Sequence, residues 1–110
     1  MSYKIFKIGE YIRKNLHNPP TKEMLCEKFS ITDYALRKGF KQNFGLNVGE
    51  YTRVHKIKTA ARLLNYKDYL VSTVAECVGF HNQSRFAEAF RSYYGVNPRD
   101  FRKVCKKRDF

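Results

Sequence analysis

The sequence lacks the features that mark membrane and secreted proteins. No apolar run approaches the roughly 18–20 residues that a membrane span requires. Residues 1–6 do not form the apolar core of a signal peptide. No stretch shows the alternation of apolar and polar residues that is typical of strands. The sequence therefore indicates a helical protein without a membrane span, and we expect a cytoplasmic location.

Residues that carry catalysis or bind metals are also scarce. The three cysteines, Cys26, Cys77 and Cys105, are odd in number, and no two of them have the spacing of metal ligands. The histidines are isolated, and no nucleophilic-serine, zinc-protease or glycine-rich phosphate-binding motif occurs. We therefore expect no enzymatic activity, no metal and no cofactor. Cys26 is predicted to fill a small buried space. The alternative is a functional role in redox sensing.

Acidic side chains are few, and this imbalance points to the class of partner. The chain has 10 Asp and Glu against 22 Lys and Arg, which gives a formal net charge of +12. A surface of this sign favours a polyanionic partner. Nucleic acid and an anionic membrane surface both qualify, so charge alone does not choose between them. The apolar content of 43% is sufficient for a packed fold and excludes a disordered chain.

One pattern of residues occurs twice in the chain. Residues 40–51, FKQNFGLNVGEY, return as residues 90–101, FRSYYGVNPRDF. Further upstream, Leu25 and Ser30 return as Val74 and Gly79, with an offset shorter by one residue. A repeat of this length indicates two copies of one supersecondary unit. Each copy has the pattern of a helix, a tight turn and a second helix.

The first half of the chain predicts three helices. Its first apolar stripe has helical spacing and ends before the prolines at 19–20, because proline lacks a backbone donor and its predecessor avoids the α region. This stripe consists of Ile5, Ile8, Ile12 and Leu16. Thr21 is predicted to cap a short helix through about Lys28, and Thr32 a second helix to about Asn43.

A long helix and the second copy of the unit follow. The long helix is predicted over about residues 48–65, and a short helix around Val74 ends at Gly79. The last helix has Pro98 in its first turn, where proline is favoured. The tail, residues 102–108, is expected to fray. The predicted N-caps in this half are Asn47, Asn82 and Asn97.

The second helix of each copy has one apolar face and one polar face. In a helix-turn-helix this second helix enters the major groove of DNA, where Arg and Lys suit guanine, Gln and Asn suit adenine, and Glu suits cytosine. A single exposed basic residue usually belongs to a solvated face, but the joint pattern opposite a phenylalanine spine favours DNA recognition. The predicted base contacts are Tyr34, Arg37, Lys38, Gln83, Ser84, Arg85 and Glu88. For Tyr34 the alternative to contact with a thymine methyl group is donation to a phosphate. The predicted phosphate contacts are Thr32, Lys41, Lys56, Asn82 and Arg91.

Glu88 has two interpretations. It occupies the position that Lys38 has in the first copy. Because a carboxylate is unfavourable near phosphates, Glu88 either contacts cytosine or pairs along the helix with Arg85 or Arg91. We favour pairing, which makes the first copy the stronger electrostatic anchor.

A set of residues in both halves carries a resemblance to a known family. In the first half these are residues 36–41 and 44–45 with Tyr51, Ala60, Leu63 and Leu64. In the second half they are residues 74–75, 78–80, 84–86 and 90–91 with Gly95, Pro98, Phe101 and Arg102. On these residues the sequence resembles the DNA-binding domain of the AraC/XylS family of bacterial transcription regulators, over roughly residues 4–103.

The resemblance implies a fold, a function and partners. The implied fold is all-α, with seven helices that form two helix-turn-helix subdomains joined by a long linker helix. The implied function is transcriptional activation, with recognition helices in adjacent major-groove segments and with RNA polymerase as a partner. Most members carry a separate domain for effector binding or dimerisation. We expect a C-terminal fragment that is monomeric by itself, rather than a short stand-alone regulator.

Four positions depart from the family pattern. Ser30 stands where glycine is frequent, and a positive φ there would cost about 1 kcal/mol. Leu70 stands where Ser or Thr usually caps a helix, so that helix is expected to start at another residue. Lys56 replaces a common arginine, which keeps the charge and loses the bidentate geometry. Glu88 replaces a frequent arginine, which weakens the case for base contacts in the second copy.

The sequence as a whole predicts a sequence-specific, double-stranded DNA-binding domain over residues 1–110. Its parts are predicted as subdomain one over about 4–46, the linker helix over about 48–65, and subdomain two over about 67–106. The alternative is a non-specific architectural binder of nucleic acid, which would show salt dependence without preference among duplexes. A protein-interaction module, or an enzyme's appended domain, is a further alternative that would show little affinity for DNA.

Overall fold

The computed structural model describes residues 2–66 and 68–108, with side chains described as far as Val104. These residues form seven α-helices and no strand, which confirms the predicted all-α fold. The helices are α1 (Tyr3–Arg13), α2 (Lys22–Phe29), α3 (Asp33–Phe44), α4 (Val48–Tyr66), α5 (Val71–Cys77), α6 (Gln83–Tyr94) and α7 (Pro98–Arg108). The chain divides into two compact units, and their boundary lies inside α4, between His55 and Lys56.

The first unit packs α1, α2, α3 and the start of α4 around one apolar core. The buried members of this core are Ile5, Ile8, Ile12, Leu16, Leu25, Leu36, Phe40 and Tyr51. The ring of Phe40 lies 5.1 Å from that of Phe44 and 5.2 Å from that of Tyr51, centroid to centroid. Burial of apolar surface is the main favourable term in folding. This core therefore fixes one face of α3 and leaves the opposite face to solvent.

Two glycines let the helices of the first unit approach closely. A Cβ atom on Gly39 of α3 would lie 2.4 Å from Cδ1 of Ile5 in α1. A Cβ atom on Gly9 of α1 would lie 2.7 Å from the hydroxyl oxygen of Tyr51. Both distances are shorter than any normal carbon contact. The α1 helix therefore lies against the backbone of α3, on the side away from the exposed face.

The helix starts agree with the predicted caps. Each cap side chain accepts a hydrogen bond from the backbone N–H three residues later, at 2.8 to 3.1 Å. These caps are Thr21, Thr32, Asn47, Asn82 and Asn97. The carboxylate of Glu50 also accepts a hydrogen bond from the N–H of Asn47 at 2.9 Å. That reciprocal pair satisfies two backbone donors at the start of α4.

Ser30 forms the turn between α2 and α3 in a left-handed conformation. Its φ of 50° and ψ of 54° make it the one described residue other than glycine with a positive φ. The N–H of the next residue, Ile31, donates to the carbonyl of Cys26 at 3.0 Å and closes the turn. The second copy has Gly79 at the matching position, with φ 84°. Ser30 thus has the backbone conformation for which the family pattern has glycine, and it carries the associated strain.

Ser30→Gly is expected to raise the free energy of unfolding by about 1 kcal/mol, because glycine adopts a positive φ without a Cβ clash. Ser30→Ala is the matched control, since alanine keeps the Cβ atom. Thermal unfolding measures the difference, which corresponds to roughly 4–8 °C in melting temperature per kcal/mol for a domain of this size. Equal melting temperatures for the glycine and alanine variants would contradict the proposed strain.

The second unit packs the remainder of α4 with α5, α6 and α7 around its own core. The buried members of this core are Ile57, Ala60, Ala61, Leu64, Val74, Ala75, Val78, Phe86 and Phe90. Phe90 takes the place that Phe40 has in the first unit, with its ring 4.9 Å from Tyr94 and 5.1 Å from Phe101. The two copies of the sequence pattern therefore build two similar cores, which bury one face of α3 and one face of α6.

Two helix boundaries differ from the predictions. The α1 helix ends at Arg13, and Leu16 is buried in the turn that follows instead of in the helix. There the N–H of Asn15 bonds to the carbonyl of Ile12 at 3.0 Å and tightens the chain. The expected shift in the start of α5 is wrong, because α5 begins directly after Leu70 without a side-chain cap. The backbone carbonyl of Leu70 alone accepts the first helical hydrogen bond, at 3.0 Å.

The tail that is expected to fray is helical in the structure, because α7 continues to Arg108. Arg102 anchors this helix to the rest of the second unit. Its Nε donates to the carbonyl oxygen of Leu64 at 3.3 Å, and a terminal guanidinium nitrogen donates to the carbonyl of Tyr69. These bonds hold the middle of α7 beside the end of α4. The stability of α7 therefore does not depend only on the helix propensity of its own residues.

Candidate nucleic-acid interface

The α3 helix exposes a polar face opposite its buried spine. Its exposed members include Tyr34, Arg37, Lys38 and Lys41, whereas Leu36 and Phe40 are fully buried. Thr32 caps the helix at its N-terminus, where the helix dipole favours a negative group such as a phosphate. The division of α3 into two faces is therefore as the sequence predicted, and every predicted contact residue on it is reachable from solvent.

Three charged groups meet at the start of α3. Asp33 accepts a hydrogen bond from Nε of Arg37 at 3.1 Å, and its other carboxylate oxygen lies 3.2 Å from Nζ of Lys22 in α2. The hydrogen bond from Lys22 and the charges of Lys22 and Arg37 hold the pKa of Asp33 below its ordinary value. The sequence analysis missed Asp33. Its spacing of four residues from Arg37 is the signal that could have identified it.

Lys38 packs against a neighbouring aromatic side chain on the same face. Its Nζ lies 5.7 Å from the centroid of the Tyr34 ring. This is within the range of a cation–π contact, which is weak at an exposed site. Tyr34 itself is 64% exposed. The pair therefore forms a small amphipathic surface that combines a positive charge with an aromatic edge.

The α6 helix repeats this arrangement in the second unit. Phe86 and Phe90 are fully buried on one side of it. The predicted contact residues on the other side, Asn82, Gln83, Ser84, Arg85, Glu88 and Arg91, are all exposed. Asn82 caps the helix by accepting a hydrogen bond from the N–H of Arg85 at 3.0 Å. The second copy thus presents uncharged polar groups and arginines where the first presents mostly cations.

The favoured pairing of Glu88 along α6 is not formed. Ion pairs within the described part of the chain join Lys7 to Glu10, and Asp33 to Lys22 and Arg37. None of them includes Glu88. The carboxylate is therefore available for another partner.

Lys56 differs from the other predicted phosphate contacts because its ammonium group is engaged. Nζ donates to the carbonyl oxygen of Gly79 at 3.3 Å and lies 5.2 Å from the centroid of the Phe80 ring. Burial lowers the pKa of Lys56. An ammonium has three donors, and Gly79 uses one of them. Lys56 thus hydrogen-bonds to the turn of the second helix-turn-helix and has N–H donors left for a further acceptor.

Neither the described cysteines nor the other possible metal ligands among the described residues form a metal-binding cluster. Cys26 is half-buried against the first core and Cys77 is exposed, while the side chain of Cys105 lies outside the described residues. Across residues 2–66 and 68–108, no group of three or more His, Cys, Asp or Glu side chains is arranged to hold a metal ion. No described helix is both long enough and apolar enough to cross a membrane.

Comparison with known proteins places this geometry in a family. A helix-turn-helix domain family matches residues 25–104, from α2 into α7. The chain is 29% identical over 98 residues to the multiple antibiotic resistance protein MarA of Escherichia coli K12, covering 89% of this chain and 77% of MarA. It is 25% identical over 103 residues to the transcriptional activator RhaR of Escherichia coli O1:K1, covering 94% of this chain and 36% of RhaR.

A solved structure agrees with these matches at the level of the fold. The DNA-binding domain of the global transcriptional factor AdpA, solved in complex with a target DNA, aligns with a TM-score of 0.89. The alignment covers 98% of this chain and 97% of that one at 22% identity. The family match extends over both helix-turn-helix units, and one of these relatives, RhaR, is described as a transcriptional activator. The chain therefore belongs to the AraC/XylS family of transcription regulators and is a DNA-binding domain of that family.

Proposed function

We propose that this chain binds double-stranded DNA in a sequence-specific manner and regulates transcription, with α3 and α6 as its two recognition helices. The observation that supports this most strongly is the repeated helix that buries a phenylalanine spine and exposes polar readers. The major groove is about 12 Å wide and admits a helix of about 10–12 Å diameter. We propose that each recognition helix occupies one of two adjacent major-groove segments.

The exposed side chains suit particular base edges. Arg37, Lys38 and Arg85 suit guanine O6 and N7, and Gln83 suits adenine N6 and N7. Tyr34 offers an apolar ring edge to a thymine methyl group, and Ser84 suits either donors or acceptors. Because Glu88 has no ion-pair partner among the described residues, we propose that it accepts a hydrogen bond from cytosine N4.

Phosphate contacts are proposed at matching positions of the two units. Thr32 and Asn82 lie at the N-termini of α3 and α6, where backbone N–H groups favour an anion. Lys41 and Arg91 lie in the last turns of the same two helices and are exposed. Contacts of this kind supply affinity and fix the register, and they leave sequence choice to the base contacts.

Lys56→Met is expected to weaken binding to all duplexes by a similar factor and to reduce the slope of log affinity against log salt by about one. Methionine keeps a long, unbranched side chain and removes the ammonium that we propose to contact a phosphate. Titrations at several salt concentrations measure the slope. An unchanged slope with weakened reading of the second half-site would instead limit Lys56 to supporting the Gly79 turn.

We also propose that the protein activates transcription through contact with RNA polymerase. We propose in addition that it acts in the cytoplasm and that the isolated chain is a monomer. The support is the family membership and the description of RhaR as an activator. Transcription in vitro from a promoter that carries the selected site would test this. An unchanged or lower transcript yield in the presence of the chain would contradict activation.

Selection of binding sites from a random duplex pool at about 150 mM salt tests the central proposal. The expected result is a motif with two half-sites about one helical turn apart, roughly 10 base pairs. One enriched half-site would mean that only one recognition helix reads bases. Binding without enrichment that disappears as salt rises would favour the architectural binder. An absence of binding would favour the protein-interaction module.

A further inference from the structure

Asp33 bridges two cations at the start of α3. One carboxylate oxygen lies 3.2 Å from Nζ of Lys22, and the other accepts a hydrogen bond from Nε of Arg37 at 3.1 Å. Lys22 is the first residue of α2 and Asp33 the first residue of α3. The carboxylate therefore connects the two helices of the first helix-turn-helix and reaches the side chain that is proposed to read guanine.

The contact occupies one part of the Arg37 guanidinium and leaves another part free. Nε is the donor to Asp33, and no described residue accepts a hydrogen bond from either terminal nitrogen. Guanine presents two acceptors, O6 and N7, that match the terminal fork of an arginine. An arginine that is already held through Nε loses less side-chain freedom when it binds. The arrangement therefore preorients the fork toward solvent on the exposed face of α3.

The second unit has no counterpart of this arrangement. Gln83 takes the place of Asp33 at the start of α6, and Ala87 takes the place of Arg37. Arg85, the proposed guanine reader of α6, has no ion pair among the described residues. The bridge is therefore a property of the first recognition helix and does not follow from the repeated pattern.

We propose that Asp33 is a positioning residue for recognition, which orients Arg37 to read one guanine and is itself held in place by Lys22. This rests on the proposed function of α3 as a recognition helix. A carboxylate beside DNA opposes phosphates, so it lowers affinity for every duplex. Asp33 therefore increases specificity while it reduces non-specific binding. A purely structural ion pair at the same place would change stability and leave base preference unaffected.

The test compares Asp33→Ala with Glu23→Ala on three duplexes. The two changes are matched, because Glu23 lies in the first turn of α2, is exposed and has no described ion pair. The duplexes are the selected site, the same site with the base pair that Arg37 reads replaced, and an unrelated sequence. That base pair is the one at which Arg37→Ala loses preference.

Asp33→Ala is expected to reduce the preference at that base pair by about three- to tenfold, a fraction of what a full bidentate contact supplies. Its affinity for the unrelated duplex should stay the same or rise, which also shows that the variant is folded. Glu23→Ala should leave the preference unchanged. Asp33→Asn should restore part of it, since the amide oxygen still accepts from Nε.

Two results would overturn the positioning role. One is an Asp33→Ala variant with the wild-type preference at that base pair. The other comes from the double variant: Asp33→Ala reduces the preference by the same factor in the Arg37→Ala chain as in the wild-type chain. A residue that acts through Arg37 should have no further effect once Arg37 is removed. A wild-type chain that shows no preference at any base pair would overturn the proposed function and, with it, this inference. A wild-type preference that Asp33→Ala leaves unchanged would overturn this inference alone.

Discussion

Replacing Phe40 with alanine is expected to lower the free energy of unfolding by about 3–5 kcal/mol. Phe40 is completely buried, and its ring packs against Phe44 and Tyr51 at centroid distances of 5.1 and 5.2 Å. Truncation removes these contacts and leaves a cavity that the surrounding helices fill only in part. Because domains of this kind are stable by about 5–15 kcal/mol, the first unit should lose a large part of its stability. Urea denaturation measures the loss.

Two further variants define what the Phe40 result means. Phe90→Ala makes the matched change in the second unit, where Phe90 is also completely buried. Phe6→Ala is the control on α1, because Phe6 is 41% exposed and should cost about 1 kcal/mol or less. If Phe40→Ala and Phe6→Ala had the same denaturation midpoint, Phe40 would not be the centre of the first core.

The parts of the fold that were predictable from the sequence depend on residues close together in the chain. The caps Thr32, Asn47 and Asn82 each bond to a backbone group three residues later, so local sequence is sufficient to identify them. The buried spines follow from helical spacing alone. The positive φ of Ser30 agrees with the glycine that the family pattern has at this position, and Gly79 has a positive φ at the matching place in the second copy.

The features that were not predictable join residues far apart in the chain. Lys56 donates to Gly79 across 23 residues, and Arg102 donates to Leu64 across 38 residues. Such contacts depend on how helices pack, and no periodicity in the sequence encodes them. This explains why the sequence did not predict the bond from Lys56 to the Gly79 turn or the anchoring of α7 by Arg102.

The candidate site shows the same limit in a different way. Which face of α3 is exposed was predictable, because apolar and polar residues separate at helical spacing. What the exposed residues do to one another was not. An aspartate at a helix start is favourable through the helix dipole alone, so the sequence does not reveal that Asp33 holds Arg37. The additional contact to Lys22 depends on the packing of α2 against α3.

Arg37→Ala is expected to weaken binding to the selected site by about 1–3 kcal/mol, or roughly 5- to 150-fold, and to remove preference at one base pair. The guanidinium is exposed, and its terminal nitrogens have no described acceptor within the chain. Affinity of the variant for the unrelated duplex should fall only by the contribution of one positive charge. Competition binding at fixed salt, with each base of the half-site varied in turn, measures both effects.

Two substitutions separate base reading by Arg37 from its charge. Arg53→Ala removes one exposed cation from α4 and should weaken all duplexes alike. Arg37→Lys keeps the charge and loses the planar fork, so it should recover affinity for the unrelated duplex without recovering the preference. Wild-type preference in both Arg37 variants would mean that this side chain does not read a base. The first recognition helix would then owe its specificity to Tyr34 and Lys38, and the bridge to Asp33 would only stabilise the turn.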